Sequence, residues 1–296
     1  MPHDHAHHHS SKNLKVAFFL NLGFTIFELF GGFYVNSIAI ISDAVHDLGD
    51  SLSLGLAWYL DVKSKEGATE KFSFGYSRFS LLGALINSLV LIVGSVFVIT
   101  IAVGRFIEPE QTNAKGMMIF AIIGIAVNGY AAWKLSSGKT LNERVVSWHL
   151  MEDVLGWVAV LIVAIVLLFK DIPYLDPALS ILITLYILFN VVKRLKETLF
   201  IFLQGTPDGF FIKEIEGKLI TIEHVDSMHH THLWSLEGES HVFTTHVKLK
   251  NITELCQIVE VKAKIKNILK DYHLQHYTVE TELDDESCEL NAERMK

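Results

Sequence analysis

The sequence predicts a bundle of six transmembrane helices followed by a small α+β domain with the element order αββαβ. Three observations predict this fold class. Half of the 296 residues are apolar and only 20% are charged, whereas soluble domains usually carry about a quarter charged residues. Apolar runs fill residues 14–203 without the alternation of a β-barrel. From residue 206 onward the composition is that of an ordinary soluble domain.

The composition divides the chain into a histidine-rich tail (1–13), a membrane domain (14–205) and a soluble domain (206–296). The tail has no apolar core followed by a small-residue cleavage site, so we do not interpret it as a secretory signal. A histidine-rich tract is flexible by composition and binds metal weakly, so this one either raises the local metal concentration or is incidental. Its histidines are His3, His5, His7, His8 and His9.

Six apolar segments approach the length of about 20 residues that a helix needs to cross the hydrocarbon layer. Backbone groups in lipid must be satisfied within their own segment, so each segment is predicted to be a helix. Asn36 and Ser37 alone separate the first two, which indicates an antiparallel hairpin. The segments lie near residues 14–35, 38–60, 79–107, 116–135, 145–169 and 177–192, and the last is the shortest.

The basic residues in the loops predict the orientation, because cytoplasmic loops collect Lys and Arg. Twelve basic residues fall on the side that holds both termini, whereas Arg105, Lys115 and Lys170 are the three on the other side. Both termini and the soluble domain are therefore predicted to be cytoplasmic.

Charge and cysteine usage exclude two classes of protein. The net charge of -8 argues against a nucleic-acid partner, since phosphate binding needs a basic surface. Cys256 and Cys288 are far apart in the soluble domain and form neither a disulfide framework nor a Cys-x-x-Cys metal pair. A reducing compartment fits this usage.

Two predicted helices carry ionisable residues that cost at least a few kcal/mol each at membrane depth, which makes them functional candidates. His46 and Asp50 in the second span are four residues apart, as are His149 and Asp153 in the fifth. Residues at this spacing share one helical face. Two such helices would present two imidazoles and two carboxylates to one ion, a tetrahedral set suited to Zn(II). A lone membrane histidine would more often be a packing residue, but these are the two histidines of residues 13–205 and each has this Asp.

Other acids and two asparagines in the predicted helices are expected to support this site or to join helices. Asp43 lies three residues before His46 on nearly the same face, where it either orients that imidazole from outside the ligand shell or lies near the water interface. Asp47 and Glu152 are offset by about 100° from the histidine faces and are expected to face a hydrated cavity or another helix. Glu28, Asn87 and Asn128 are expected to hydrogen-bond between helices.

Together, five motifs of the chain resemble those of the cation diffusion facilitator family. They are SIAIISDAVHDLGD at 37–50, FGYSR at 74–78, HLMED at 149–153, Asp176-Pro177, and HLW at 232–234. The resemblance implies a homodimeric antiporter that lies in the lipid bilayer and exchanges a divalent metal for protons. It also implies a zinc-preferring transport site at His46, Asp50, His149 and Asp153, with Cd(II), Co(II) or other divalent metals as further substrates.

The soluble domain is predicted as a helix at 210–220, strands at 228–236 and 242–249, a helix at 254–271 and a strand at 277–283. His246 alternates with Phe243, Val247 and other apolar residues, so it points away from the core. The resemblance implies a metallochaperone-like fold that dimerises and binds regulatory zinc. The matching positions are His229, His246, Glu280 and Glu282. Surface histidines without a metal are an equal alternative.

Metal ligands must lose protons to bind, so a site of two His and two Asp predicts exchange of metal for protons. We expect zinc to enter from the cytoplasm and leave outward by alternating access. No nucleotide-binding glycine loop is present, which argues against ATP as the energy source. A passive channel or a metal sensor remains an alternative. A metalloenzyme is disfavoured because no His-Glu-x-x-His occurs. The short loop at 134–144 lacks the histidine-rich insertion of many eukaryotic relatives, which favours a bacterial inner membrane.

Overall fold

The computed structural model describes residues 6–64, 68–136, 141–207, 209, 212–272, 274–283, 286 and 288. Contacts divide the chain into a membrane unit of residues 1–196 and a C-terminal unit of residues 197–296. Six long helices begin in the described part of the membrane unit. They are α1 (Ala6–Val35), α2 (Ile38–Ser64), α3 (Phe79–Ile107), α4 (Ala114–Ser136), α5 (Leu141–Phe169) and α6 (Leu175–Phe202).

Five of these helices, α1, α3, α4, α5 and α6, contain stretches that are long and apolar enough to cross a membrane. Helix α2 is absent from this group, although its 27 residues are long enough. The physical reason is charge, because Asp43, Asp47 and Asp50 all lie within its first half. The helix with the highest density of buried acids is thus the one that a hydropathy criterion does not recognise.

Two helix ends differ most from the sequence prediction. Helix α6 continues to Phe202, ten residues beyond the predicted apolar span, because the Lys, Arg, Leu and Glu residues that follow favour helix. Helix α1 begins at Ala6, so the backbone of His7, His8 and His9 is helical where a flexible tail was predicted. That prediction is wrong for these residues, since a helix already nucleated by the apolar span extends at little cost.

The turn between α1 and α2 confirms the predicted antiparallel hairpin. Asn36 adopts a φ of 56°, a left-handed conformation that Asn tolerates at helix C-termini. Its N–H donates to the Phe33 carbonyl over 3.3 Å, and the Ser37 N–H donates to the Gly32 carbonyl over 3.0 Å. These bonds satisfy carbonyls at the end of α1 and let α2 start at once.

Helix α5 is held against α4 by an aromatic ring over a glycine. Trp157 of α5 is 1% exposed, and a Cβ added at Gly124 of α4 would overlap its indole ring. Small residues at such contacts let membrane helices approach closely. Between α2 and α3, Asn87 donates through Nδ2 to the Ser53 hydroxyl over 2.8 Å, as expected for an interhelical hydrogen bond.

The C-terminal unit contains a three-stranded sheet with helices on one face. Its elements are α7 (Ile212–Ile220), β1 (Val225–Ser235), β2 (His241–Leu249), α8 (Leu255–Leu269), a short 3-10 turn (Lys270–Tyr272) and β3 (Leu274–Glu282). Strands β1 and β2 pair antiparallel, and β2 and β3 pair parallel. Phe243 and Val247 of β2 pack with residues of α7 and α8 in the core. His246 lies on the opposite face, as predicted from the alternation.

Candidate metal sites

The first candidate site lies where α2 meets α5. The Nε2 atom of His46 on α2 is 3.7 Å from Oδ2 of Asp50 and 3.8 Å from Oδ1 of Asp153 on α5. His46 and Asp50 share one helical face because they are four residues apart. Ligands about 2.0 to 2.2 Å from a tetrahedral zinc ion are roughly 3.3 to 3.6 Å from one another. The two distances from Nε2 of His46 exceed this range by only a few tenths of an ångström.

The fourth residue predicted for this site is His149. It lies in α5 one turn before Asp153, but its side chain falls outside the described residues. The side chain of Asp153 is 10% exposed, while those of His46 and Asp50 are 23% and 24% exposed.

Further acids are buried around this pair of helices. Asp43 is 7% exposed, and its Oδ1 lies 3.9 Å from where a Cβ of Gly156 on α5 would stand. Asp47 is 6% exposed, and its backbone carbonyl accepts a hydrogen bond from Asn21 of α1 over 3.1 Å. Glu28 of α1 is fully buried in the same region. The cation site is therefore surrounded by further buried carboxyl groups.

A second candidate site lies on the outer face of the C-terminal sheet. His229 of β1 and His246 of β2 are cross-strand partners. Glu282 at the end of β3 reaches both, with Oε1 2.8 Å from Nδ1 of His246 and Oε2 3.2 Å from Nε2 of His229. The Sγ of Cys288 is 3.5 Å from Nδ1 of His246. One donor atom from each of these four residues lies within 4.8 Å of the others.

A bulge in β1 shapes this histidine face. The ladder pairs His229 with His246 and His232 with Thr244, so β1 holds one extra residue in this interval. His230 in the bulge has a φ of 50°, and its ring centroid is 5.2 Å from that of His246. Regular alternation would place His229 and His230 on opposite faces. The bulge brings both imidazoles near His246, as bulges commonly re-aim side chains.

Comparison with known proteins decides the family. The model of the cation efflux transmembrane domain matches residues 14–203, which include both helices of the first site. The chain belongs to the cation diffusion facilitator family. The resemblance seen in its motifs is thereby confirmed, and the protein is an integral membrane protein of a cation efflux family.

Curated relatives of this family match almost the whole chain. A cadmium, cobalt and zinc/H(+)-K(+) antiporter of Bacillus velezensis is 31% identical over 284 residues, 95% of this chain and 91% of the relative. The metal cation efflux system protein CzcD of Cupriavidus metallidurans is 33% identical over 285 residues, 94% and 90% of the two chains. The zinc transporter ZitB of Escherichia coli is 31% identical over 294 residues, 95% and 93%. The family therefore consists of transport proteins, and this chain is a divalent metal cation efflux transporter.

The C-terminal cluster differs in one residue from the set expected from the sequence. His229, His246 and Glu282 come together as predicted. Glu280 contacts Nε2 of His246 over 3.4 Å, but its side chain is 66% exposed and lies outside the group of four. Sequence reasoning missed Cys288, which completes that group. The one signal that could have found it is a thiol six residues after Glu282.

Glu282 is held in its ionised form. Burial raises the pKa of its carboxyl, but hydrogen bonds from His246 and Cys288 and the proximity of His229 outweigh burial and hold the pKa below its usual range. The carboxylate is consequently the dominant form near neutral pH.

Proposed function

We propose that the chain is a zinc/proton antiporter that exports zinc from the cytoplasm, with His46, Asp50, His149 and Asp153 holding the transported ion. The convergence of His46, Asp50 and Asp153 at the contact of α2 and α5 carries this proposal. An imidazole and two carboxylates from two helices, joined by a second imidazole, make the nitrogen and oxygen set that zinc accepts. The zinc transporters among its relatives support the same substrate.

Proton coupling follows from competition for the same atoms. An imidazole binds metal only when neutral and a carboxylate only when ionised, so binding releases protons and protonation releases metal. Histidine is the side chain whose ordinary pKa lies between pH 5 and 8. Zinc entering from the cytoplasm would displace protons, and protons arriving from outside would displace zinc. The antiporter among the relatives, which is named for H(+) and K(+), supports such exchange.

Membrane topology is part of the proposal. Helix α2 is the sixth span. Its Asp43 and Asp47 are buried, and acids inside a membrane almost always face the interior of the helix bundle and not the lipid. Six spans place both termini on one side, and the basic loops make that side cytoplasmic. The host membrane is a bacterial plasma membrane, where alternating access would carry zinc outward. Residues 206–296 would form the cytoplasmic domain that joins two chains in a homodimer.

The cluster of His229, His246, Glu282 and Cys288 is proposed as a regulatory metal site. Two imidazoles, a carboxylate and a thiol are all zinc ligands, and their donor atoms are already within 4.8 Å of one another. Glu280 would orient His246 from outside the ligand group through their 3.4 Å contact. A metal held here would tie all three strands to the segment that follows β3.

Purified protein in sealed liposomes tests the antiport directly. A pH gradient, acidic inside, should drive zinc accumulation that saturates with zinc concentration and collapses when an ionophore dissipates the gradient. Replacing the pH gradient by a K+ gradient distinguishes the two counter-ions. Zinc flux that ignores the pH gradient and carries a current would indicate a channel. Zinc binding without flux would indicate a sensor.

A further inference from the structure

Asp176 is a fully buried carboxylate that the proposed transport cycle does not use. It lies in the first turn of α6, immediately before Pro177, and its side chain is 0% exposed. A buried carboxylate needs several compensating hydrogen bonds. None of the donors identified for it belongs to α6, and all of them lie at the beginning of α2.

The hydrogen bonds of Asp176 cap the N-terminus of α2. Its Oδ1 accepts the Ser37 hydroxyl over 2.6 Å and the Ala39 N–H over 3.4 Å. Its Oδ2 accepts the Ile38 N–H over 2.7 Å. The first N–H groups of a helix have no partner within the helix, and the helix dipole favours an anion beside them. Asp176 therefore supplies from another helix what a capping residue usually supplies locally.

Every N–H group of the first turn of α2 is accounted for in this way. Ile38 and Ala39 donate to Asp176, Ile40 donates to the Ser37 hydroxyl over 3.3 Å, and Ile41 donates to the Ser37 carbonyl over 3.3 Å. The cap is thus complete, and half of it comes from α6.

Two more polar contacts extend the same interface along α6. The Ser180 hydroxyl donates to the Ile38 carbonyl over 3.4 Å, and the hydroxyls of Thr184 and Ser42 are 2.8 Å apart. Asp176, Ser180 and Thr184 are spaced four residues apart, so they form one stripe on α6. The stripe fixes both the height and the rotation of α2 against α6.

From this geometry we infer that Asp176 is a positioning residue for the transported metal, which rests on the proposed site at His46 and Asp50. His46 lies nine residues after Ser37 in sequence, about 13 Å further along α2. A rotation of α2 by only about 10° moves a side-chain tip by about 1 Å at a radius of about 5 to 6 Å. Metal–ligand distances hold within about 0.2 Å. Loss of the cap would therefore displace His46 and Asp50 from Asp153.

An exchange of two residues tests this inference. Asp176→Asn keeps the shape but leaves one acceptor oxygen for three donors. We expect it to raise the KM for zinc and the Kd of the purified protein by about 10-fold to 100-fold, the usual effect of losing a residue that orients ligands. Vmax per folded transporter should change far less. Ser37→Asp should also impair zinc binding, because two carboxylates would meet in a buried space.

The double variant Ser37→Asp/Asp176→Ser again places one carboxylate at the N-terminus of α2, now on the residue that immediately precedes α2. It should restore zinc affinity close to the parent value. Asp171→Asn, an exposed loop aspartate bound to Gln111, is the matched control and should leave the KM unchanged. An Asp176→Asn variant with parental KM and Kd would overturn the inference. So would a loss confined to folded yield, or a double variant as impaired as Asp176→Asn.

A ligand variant separates this result from the proposed function. Asp50→Asn should abolish high-affinity zinc transport if the α2–α5 site is correct. Parental transport by Asp50→Asn would reject that site. Loss of transport in Asp50→Asn beside parental zinc affinity in Asp176→Asn would reject only the positioning role.

Discussion

The two candidate metal clusters of the chain are assembled by different secondary structure. In the membrane unit, His46 and Asp50 come from one helix, and Asp153 comes from a second. In the C-terminal unit, each of three strands provides one residue and the segment after β3 provides Cys288. Part of the helical cluster can be read from the sequence, because His46 and Asp50 are four residues apart. The sheet cluster depends on register between segments far apart in the chain.

This difference also suits the two roles. His46 and Asp153 belong to different helices, so the residues of the helical cluster would separate if α2 moved against α5. Strands β1, β2 and β3 are joined by continuous hydrogen-bonded ladders, so their ligands stay together. The first arrangement suits the transported ion proposed for the helical cluster, and the second suits the regulatory ion proposed for the sheet cluster.

The largest effect should follow from removing a helical ligand. Asp153→Asn takes a charged donor from the α2–α5 site, and we expect zinc flux in liposomes to fall by at least about 100-fold, given that residues merely orienting ligands contribute about 10-fold to 100-fold. Asp226→Asn changes an exposed aspartate of β1 and should leave flux unchanged. Full activity of Asp153→Asn would remove the helical cluster from the mechanism.

A smaller effect on transport should follow from changing the sheet cluster. Cys288→Ser removes the thiol, and we expect the affinity of the C-terminal cluster for zinc to fall by about 10-fold to 100-fold, with transport at saturating zinc largely kept. Equilibrium zinc titration of the Asp153→Asn background measures this affinity alone. Cys256→Ser is the matched control, because Cys256 is exposed and is not one of the four residues of the cluster. Equal affinities of the two cysteine variants would argue that the thiol is not a ligand.

Packing variants test how much the close contact of α4 and α5 contributes to the stability of the protein, without changing a residue of the helical cluster. Gly124→Ala forces a methyl group onto the Trp157 ring, and overpacking of this kind costs about 1 to 3 kcal/mol. Thermal unfolding in detergent should therefore shift to lower temperature. Gly104→Ala is the control, since nothing lies within 4 Å of its added Cβ. If both alanine variants unfolded alike, the close approach of α4 and α5 would not contribute to stability.

The smallest effect concerns the pH response of the sheet. Burial lowers the pKa of His241 at the start of β2, and attraction to Glu237 opposes this shift only partly. Between the ordinary pKa of about 6.5 and the lowered pKa of the folded chain, His241 therefore binds more protons in the unfolded chain than in the folded chain. The contribution of neutral His241 to the free energy of unfolding is complete above about pH 6.5 and is lost as the pH falls. His241→Gln should flatten this decline in the hydrogen-exchange protection of β2, corrected for intrinsic rates. An unchanged decline would assign it to other groups.

The sequence was sufficient where one helix or one alternating strand determines the result. It predicted the pairing of His46 with Asp50 and the outward face of His246, because both follow from a single repeat. It placed the end of α6 too early, because charged residues end an apolar span without ending a helix. The sequence did not predict the bulge at His230 or the position of Cys288 in the cluster, because both depend on how separate segments pair.

The role of Asp176 also depends on a contact between segments that are far apart in the sequence. The motif Asp176-Pro177 was visible in the sequence, but its partner is the start of α2, more than a hundred residues earlier. Local reasoning would assign an acidic residue in the first turn to the cap of its own helix. Only the fold shows that the carboxylate serves the helix that carries His46.

X-ray absorption at the zinc edge identifies directly which atoms bind zinc in the membrane unit. The protein for this measurement carries His229→Gln and Cys288→Ser, so that the C-terminal cluster cannot compete, and zinc is added at one equivalent per chain. We expect two imidazole nitrogens and two oxygens at about 2.0 to 2.2 Å from zinc, and we expect this signal to be lost when Asp153→Asn is added. Zinc without imidazole ligands, or zinc retained unchanged in the Asp153→Asn protein, would contradict the proposed transport site.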